Sequence, residues 1–204
     1  MAVSFELEKQ ICLEGFRLIA GVDEVGRGCL AGPVVAAACI LDLSKPFPER
    51  LNDSKKLSVR EREILEKWIK SEALSYSIAE IAPEEIDNIN ILQATKKAMI
   101  KALEALQRKP DFVLIDAIKL EELSKPQKPV IKGDSISASI AAASIIAKTY
   151  RDRLMKKMHE HYPEYGFVRN VGYPTKEHLE ALRLYGPCPI HRKSFRPVCQ
   201  QFLF

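Results

Sequence analysis

The first long apolar run of this chain ends in two adjacent carboxylates, and this pairing restricts both the local fold and the chemistry. Residues 16–23 are mainly apolar, Glu24 follows Asp23 directly, and Gly26-Arg27-Gly28 begins one residue later. An apolar segment bounded by turn residues predicts a buried strand. Adjacent carboxylates repel each other, and a divalent cation with oxygen ligands relieves that repulsion. The sequence therefore predicts a metal site at a strand end, beside glycines whose backbone can approach a ligand closely.

The order of patterns along the chain predicts a mixed α/β domain. A second strand follows the glycine-rich turn, so we expect the two strands to form a hairpin. Helix starts are marked by the capping box Ser58-Val-Arg-Glu61 and by Thr175. The predicted strands span 16–23, 33–41, 74–81 and 111–116; the predicted helices begin at 58, 89, 135 and 175, the last three ending near 107, 159 and 185; a Lys/Pro-rich loop spans 119–129.

Acidic residues recur at the ends of the predicted elements. Asp116 closes the strand 111–116, and Asp134 precedes a long helix whose first half is rich in Ala and Ser. Taken alone, Asp134 fits the N-cap of that helix, because the helix dipole favours a carboxylate there. Together with Asp23 and Glu24 these acids would form a four-carboxylate cluster that needs cations to stay ionised. A two-metal site is the simplest account of such a cluster.

Composition excludes several classes of protein. At 204 residues and 47% hydrophobic, the chain can bury the core of one domain with at most a small appendage. No apolar run reaches the roughly 18 residues that cross a bilayer, and the N-terminus lacks the order of a signal peptide. We therefore expect a cytoplasmic protein without membrane contact. The five cysteines never occur as C-x-x-C, which indicates neither a disulfide framework nor a zinc site.

The net charge of +4 is unevenly distributed along the chain. Residues 148–204 carry 11 Lys and Arg against 5 Asp and Glu, which leaves 20 against 22 for residues 1–147. A basic C-terminal end can hold a polyanion such as nucleic acid. A solvated helical surface explains the same charge equally well, so charge alone does not decide between them.

Short motifs from about residue 16 to residue 197 occur in an order that chance does not explain. They are Gly21-Val-Asp-Glu-Val-Gly-Arg-Gly28, Leu30-Ala-Gly-Pro-Val-Val-Ala36, Asn52-Asp-Ser-Lys-Lys-Leu57, Asn90-Ile-Leu-Gln-Ala-Thr95, Leu114-Ile-Asp116, Lys132-Gly-Asp134, Ser139-Ile-Ala-Ala-Ala-Ser-Ile-Ile-Ala-Lys148, Tyr165-Gly-Phe167, Gly172-Tyr-Pro-Thr175 and His191-Arg-Lys-Ser-Phe195. This series resembles the bacterial ribonuclease HII family, the type 2 ribonucleases H. One departure is Cys29, which stands where the family usually has Pro and removes no chemical group.

The resemblance implies a ribonuclease H-like fold, a mixed β-sheet flanked by helices and followed by a helical C-terminal extension. We expect the catalytic domain to span residues 1–160 and the extension 161–204, packed as one compact unit. The implied activity is endonucleolytic hydrolysis of the RNA strand of RNA/DNA hybrids, with cleavage 5′ of single ribonucleotides embedded in duplex DNA. Products would carry 3′-hydroxyl and 5′-phosphate ends, which suits ribonucleotide removal during replication and repair.

By residue match, the resemblance also implies the catalytic and metal-binding groups. Asp23, Glu24, Asp116 and Asp134 would bind two Mg²⁺ or Mn²⁺ ions that flank the scissile phosphate. One ion would lower the pKa of the attacking water and the other would stabilise the leaving 3′ oxygen. This chemistry needs no nucleophilic triad, in agreement with a sequence that shows none.

Substrate contacts are implied in the same way. The backbone of Gly26-Arg27-Gly28 would meet the ribose 2′-hydroxyl, the group that distinguishes RNA from DNA. Tyr173 would pack on the neighbouring sugar, and Lys55 and Lys56 would contact phosphates. Without the family match, Tyr173 fits a capping contact near the last helix, and the lysine pair fits a solvated surface.

Other functions match parts of the sequence. Gly26-x-Gly28-x-x-x-Gly32 is similar to a dinucleotide-binding loop, but such a loop opens a helix, and here Pro33 and a β-prone run follow. A nucleic-acid-binding module without catalysis would have no need of four acids. Transposase and exonuclease relatives share scattered acids but not the Gly-Arg-Gly loop or the late tyrosine. Ribonuclease HIII is expected to carry an additional N-terminal domain, whereas about 15 residues precede the first strand here.

We expect a monomer whose partner is an RNA/DNA hybrid or a ribonucleotide-containing DNA duplex. A sliding-clamp partner is not indicated by the sequence, because the terminal segment 200–204 is too short to identify a clamp-binding motif. We expect that segment to pack on the body as a strand or tail.

Overall fold

A five-stranded mixed sheet forms the centre of the computed structural model, which describes residues 3–200. Across the sheet the order is β3-β2-β1-β4-β5. Strand β2 pairs antiparallel with β1 and β3, whereas β1, β4 and β5 run parallel. The strands are β1 (Ile19–Val25), β2 (Val34–Ile40), β3 (Ser75–Ile81), β4 (Phe112–Asp116) and β5 (Gln127–Val130).

Helices cover both faces of this sheet, which confirms the predicted α/β fold class. The helices are α1 (Glu6–Leu13), α2 (Val59–Glu72), α3 (Pro83–Ile89), α4 (Ile91–Ala105), α5 (Ala138–His161), α6 (Phe167–Asn170), α7 (Lys176–Tyr185) and α8 (Arg196–Cys199). Within residues 3–200, no helix is long and apolar enough to cross a membrane.

Strand β2 is buried on both faces, which explains why its sequence is apolar without interruption. Val34 and Ala36 belong to the core cluster that contains the buried face of α4, whereas Val35 and Ala37 belong to the cluster of α2 and α5. The sheet is therefore the middle of three layers, with its central strands, β2 and β1, packed against both helical layers.

The long helix α5 lies unusually close to β1 because the contacting residues are small. A Cβ added at Gly21 would overlap the backbone carbonyl of Ser139 and the amide of Ile140. Glycine is therefore required two positions before Asp23, and the first turn of α5 lies directly on the strand that carries this acid.

Four of the predicted elements need correction, beginning with the first strand. Strand β1 begins at Ile19 rather than at residue 16 and continues past Asp23 to Val25, because its pairing with β2 extends to Val25 opposite Val35. The acids thus lie within the paired strand. The glycine-rich loop after β1 leads into β2 and not into a helix, which excludes the dinucleotide-binding interpretation.

The single helix predicted for 89–107 is two helices that meet at Asn90. This residue has a φ of 68°, which a continuous helix does not allow. Its side-chain oxygen accepts hydrogen bonds from the N–H groups of Leu92 and Gln93, so it caps α4.

The loop predicted for 119–129 ends in a strand, and the following helix starts later than expected. Strand β5 was missed because Pro129 is disfavoured inside sheets, but β5 is an edge strand, where Pro is tolerated. Helix α5 begins at Ala138 rather than at 135, and its N-cap is Ser137. The local alternative for Asp134, an N-cap role, is therefore wrong.

The ends of the chain contain two helices that the sequence patterns did not indicate, α1 and the four-residue α8. The prediction of a strand or tail was made for residues 200–204, of which 201–204 lie outside the described part of the chain.

We expect Gly21→Ala to lower the free energy of unfolding by about 3 kcal/mol, because the methyl group would force α5 away from β1. Urea denaturation measures this change. Gly28→Ala is the matched control, since a Cβ at Gly28 meets no heavy atom within 4 Å, and it should change stability by less than about 1 kcal/mol. Equal midpoints for the two variants would contradict the close packing.

Candidate active site

Two parallel strands bring the first acids together. The register of β1 and β4 pairs Val22 with Ile115, so continuing it by one position places Asp23 beside Asp116. Parallel strands deliver their carboxyl ends to the same edge of a sheet, which is why acids 93 positions apart in sequence become neighbours.

A short turn between β5 and α5 adds the fourth acid. Asp134 lies in the 3-10 turn Gly133–Ser135, and the N–H of Gly133 donates a hydrogen bond of 2.7 Å to Asp116 Oδ1. One carboxylate of the sheet therefore fixes the turn that carries the next one.

Burial and mutual repulsion shift the acids in the same direction. Asp23 is 4% exposed, and its burial, followed by the charge of Glu24, raises its pKa well above the usual value. Burial also raises the pKa of Glu24, although the guanidinium of Arg27 opposes the rise. The charge of Asp116 contributes to both shifts.

The pKa of Asp134 is raised by burial and neighbouring charge as well. It is 5% exposed, and its burial, followed by the charges of Asp53 and Asp116, raises its pKa. The charge of Asp116 raises the pKa of each of the other three acids, so Asp116 is the member that links the group electrostatically. Such a group favours either proton uptake or a bound cation.

The oxygen atoms of this group are suited to a metal ion. Glu24 Oε2 is buried and has no hydrogen-bond partner among residues 3–200, and a cation would satisfy it. In the same part of the chain, no three acidic, histidine or cysteine side chains stand ready as a complete ligand set. Mg²⁺ is usually held by one or two carboxylates plus substrate phosphates, so an incomplete protein site fits that ion.

A cleft of about 510 Å³ opens beside these acids. Its lining includes Asp23, Glu24, Lys55 and Tyr173, which the sequence had grouped as one site. The cleft lining does not include Asp116, Asp134, Lys56 or the Gly26-Arg27-Gly28 loop.

The predicted lysines reach the turn that carries Asp134. Lys55 Nζ lies 3.9 Å from Asp134 Oδ2, and Lys56 Nζ lies 3.4 Å from the hydroxyl of Ser135. Both side chains are exposed. They therefore place positive charge at the rim of the acidic group, where a phosphate can reach it.

A fully buried arginine holds the Gly-Arg-Gly loop. The guanidinium of Arg192 donates to the carbonyl oxygens of Gly26 at 2.7 Å, Arg27 at 2.9 Å and Gly32 at 3.0 Å. Only the planar fork of arginine can serve three carbonyls in this way. The side chain of Arg27 does not take part in these bonds and instead forms a 3.3 Å ion pair with Glu24.

A second buried arginine joins this loop to the one that carries Tyr173. Arg151 of α5 donates to the carbonyl oxygens of Ala31, Pro33 and Val171 at 2.8–3.0 Å. The two loops are also bonded directly, since the N–H of Leu30 donates to the carbonyl of Gly172 at 2.8 Å. The predicted sugar-reading elements therefore form one connected unit.

Two buried histidines fix the backbone of Tyr173. The N–H of Cys188 donates to His191 Nδ1, so the proton of His191 lies on Nε2 and points at His178 Nε2, 3.0 Å away. His178 must then donate from Nδ1 to the carbonyl of Tyr173, at 2.9 Å. Burial lowers the pKa of His191 to about 4 and also lowers that of His178, so both stay neutral at physiological pH.

Sequence reasoning missed several residues of this region. Ser144 and Lys148 line the cleft, Asp53 acts on Asp134, and two arginines hold the loops. Ser144, Lys148, Asp53 and Arg192 stand inside recognised motifs, so motif membership was an available signal for these four, whereas Arg151 stands outside them. The arginines bond backbone carbonyls, for which the sequence carries no pattern.

Comparisons with known proteins identify the family of this chain. A mixed sheet flanked by helices is also the architecture of the solved ribonuclease H structures that this chain is similar to. The family model "Ribonuclease HII" matches residues 20–198. The ribonuclease HII of Desulfitobacterium hafniense is 57% identical over 194 residues, which cover 95% of this chain and 74% of that protein. The enzyme of Chlamydia caviae is 56% identical, covering 95% and 91%. The chain belongs to the ribonuclease HII family.

Solved structures show the same fold. Ribonuclease H2 from Pyrococcus horikoshii is 28% identical with a TM-score of 0.75, covering 91% of this chain and 97% of that one. The ribonuclease HII in a complex with PCNA from Archaeoglobus fulgidus is 26% identical with a TM-score of 0.73, covering 90% and 96%. Members of this family are metal-dependent endoribonucleases with ribonuclease H activity on RNA/DNA hybrids, and this chain is an enzyme of that class.

The raised pKa of Asp23 predicts how the metal-free protein responds to pH. Between the ordinary value near 3.8 and the raised value, the folded state holds a proton that the unfolded state has lost. The contribution of Asp23 to the free energy of unfolding is therefore fully present below about pH 4. It is lost as the pH rises through the folded-state pKa.

Asp23→Asn removes the cost of burying an ionised carboxylate at this position. In chelator at pH 8, the melting temperature of the variant should therefore exceed that of wild type, by about 2–4 °C for each kcal/mol of relieved repulsion. The difference should vanish near pH 4, and Mg²⁺ should stabilise wild type more than the variant. Calorimetry at both pH values measures this. A lower melting temperature for the variant at pH 8 would contradict a mutually repelling group.

Proposed function

We propose that this ribonuclease H cuts on the 5′ side of single ribonucleotides in duplex DNA as well as within RNA/DNA hybrids, leaving 3′-hydroxyl and 5′-phosphate ends. The observation that carries the proposal is the cleft that Asp23, Glu24 and Tyr173 line together. A carboxylate group able to hold metal and an aromatic ring able to contact a sugar face the same space. Cleavage at such a position would serve ribonucleotide removal during replication and repair.

Asp23, Glu24, Asp116 and Asp134 are the proposed ligands of the divalent ions, Mg²⁺ or Mn²⁺, with two ions present once substrate is bound. When bound, such ions lower the pKa of a water and stabilise negative charge on a leaving oxygen. The raised pKa of three of these acids and the unpartnered Glu24 Oε2 support this assignment.

The Gly26-Arg27-Gly28 backbone is the proposed reader of the 2′-hydroxyl. Gly28 is exposed, and a Cβ there would meet nothing within 4 Å, so the backbone is open to a ribose. Arg192 holds the carbonyls of this loop from behind, which leaves the outer face of the loop for the substrate. A rigid backbone donor or acceptor discriminates by geometry and needs no induced movement.

Tyr173 is the proposed junction residue, and it belongs to the proposed C-terminal extension of residues 161–204. Its ring is half-buried, with Lys148 Nζ 5.8 Å from the ring centroid. Burial raises the pKa of its hydroxyl to about 12, so the group stays protonated at neutral pH. A fixed, neutral ring can pack against the sugar that follows the ribonucleotide.

Lys55 and Lys56 are proposed to contact phosphates near the Asp134 turn. Burial lowers the pKa of Lys55, but the surrounding carboxylates, Asp134 foremost, outweigh it and give a net rise. The ammonium group thus remains charged beside the acids. Binding dominated by phosphate contacts should weaken as salt increases and depend little on base sequence.

The decisive experiment is cleavage of a DNA duplex with one ribonucleotide, in Mg²⁺, in Mn²⁺ and in chelator, with the cut mapped to the nucleotide. A metal-dependent cut 5′ of the ribonucleotide with a 3′-hydroxyl product is expected. Cleavage of a long RNA/DNA hybrid without any cut at the single ribonucleotide would refute the junction specificity.

Asp116→Asn should abolish cleavage, with a loss of at least about 10³-fold in kcat, while the protein stays folded. Removal of a ligand charge weakens metal binding, and the neutral amide relieves the repulsion. Steady-state cleavage and circular dichroism measure the two effects. Glu104→Gln on the exposed side of α4 is the matched control and should retain full activity. Substantial activity in Asp116→Asn would remove this acid from the site.

Tyr173→Ala should reduce cleavage at a single ribonucleotide about 10-fold more than cleavage within a long RNA stretch, because only the former depends on the ring at the junction. Parallel kcat/KM measurements on the two substrates provide the ratio. Tyr173→Phe keeps the ring and should stay near wild type. Equal losses on both substrates would leave Tyr173 without a junction role.

A further inference from the structure

Glu8 of α1 is a carboxylate with no exposure to solvent, and it is not among the residues assigned to the site. It is 0% exposed. Its Oε1 accepts hydrogen bonds from the hydroxyl of Ser137 at 2.6 Å and from the N–H of Ser139 at 3.0 Å. Its Oε2 is buried and has no hydrogen-bond partner within residues 3–200. Burying a carboxylate with one oxygen lacking a hydrogen bond lowers the free energy of unfolding, so another interaction or a function of Glu8 must account for its burial.

The partners of Glu8 form the N-terminus of α5. Ser137 is the N-cap, and its hydroxyl accepts from the N–H of Ile140 at 3.2 Å while donating to Glu8. The N–H of Ala138 donates to the carbonyl of Ser4 at 3.0 Å. The first two free N–H groups of this helix, those of Ala138 and Ser139, are thus satisfied by the segment before β1, and the third by the N-cap Ser137. A carboxylate at this end of a helix is also favoured by the dipole.

The same segment holds the chain that leads from Asp134 into α5. The N–H of Ser4 donates to the carbonyl of Ile136 at 3.0 Å, and the N–H of Ser137 donates to the carbonyl of Gly133 at 2.8 Å. Asp134 therefore lies between Gly133, which bonds Asp116, and Ser137, which bonds Glu8. Both ends of the three-residue stretch around this acid are fixed.

The first turn of α5 also fixes the other strand of the site. Gly21 of β1 lies so close to Ser139 that no side chain fits between them, and Asp23 follows two residues later. Ser139 is bonded to Glu8 through its N–H. A shift of this turn would consequently change the position of Asp134 relative to Asp23.

We propose that Glu8 is a positioning residue that sets the distance between Asp134 and Asp23 by holding the first turn of α5. This inference rests on the proposed function, because it takes both acids as metal ligands. Metal-assisted phosphoryl chemistry depends on ligand placement, and loss of an outer-shell partner costs about 10- to 100-fold in activity or metal affinity.

The test uses the full chain and a long RNA/DNA hybrid, with kcat, KM and the half-saturating Mg²⁺ concentration measured well below the melting temperature. Glu8→Ala should lower kcat about 10- to 100-fold and raise the half-saturating Mg²⁺ concentration, because Asp134 loses its placement. KM for the hybrid should change less than about twofold, since no substrate contact is removed. Glu8→Gln should restore kcat to within about threefold, because its amide oxygen accepts the same two hydrogen bonds.

Two controls separate positioning from stability. Ile11→Ala weakens the packing of α1 but leaves the Glu8 hydrogen bonds in place, because Ile11 belongs to the apolar cluster beneath the helix. It should lower the melting temperature while leaving kcat and the Mg²⁺ requirement unchanged. Glu6→Ala, exposed on the same helix, should match wild type in every measurement.

The outcomes decide between the two proposals. Equal kcat for Glu8→Ala and Ile11→Ala, or a Glu8→Gln variant as impaired as Glu8→Ala, would overturn the positioning role. If Glu8→Ala does not fold, Glu8→Asp, which keeps the charge but falls short of Ser137, replaces it, and a normal kcat there overturns the role. An inactive Asp134→Asn beside fully active Glu8 variants leaves the proposed function standing and removes Glu8 alone. An active Asp134→Asn overturns both.

Discussion

Mutual repulsion among buried carboxylates is the constraint that the rest of this structure serves. Asp23 and Asp134 are nearly inaccessible to solvent, and each of them has a raised pKa because burial and neighbouring acids disfavour its charge. A fold that keeps such groups together without a cation must hold them rigidly from outside. Parallel strands, a glycine contact and hydrogen-bonded turns supply that rigidity here.

The rigid support comes largely from buried polar side chains that form hydrogen bonds with the backbone. Arg192 and Arg151 each serve three carbonyl oxygens, and Glu8 serves the start of α5. Backbone partners cannot rotate away as side chains can, so such contacts define loop positions narrowly. The loops that carry the proposed substrate contacts are therefore held in place by hydrogen bonds, as helices and strands are.

Local pattern was sufficient to predict the central strands of the sheet, because apolar runs and turn residues are visible in neighbouring positions. It also singled out the four acids, whose role as metal ligands stays a prediction. It was not sufficient where distant parts of the chain decide the outcome. Strand β5 contains Pro129 and exists because β4 offers it an edge, and α1 has no capping side chain of its own. The roles of Glu8 and Arg192 depend on partners more than 100 residues away.

The hydrogen bonds of Arg192 to the loop after β1 also affect the order in which the protein folds during synthesis. Its partners Gly26 and Arg27 leave the ribosome 165 residues or more before it does, so this contact closes only after a long stretch of chain has been synthesised. During that interval the sheet can form while the loop still lacks its support. A nascent chain therefore lacks the support of the proposed ribose-reading loop until Arg192 has been made.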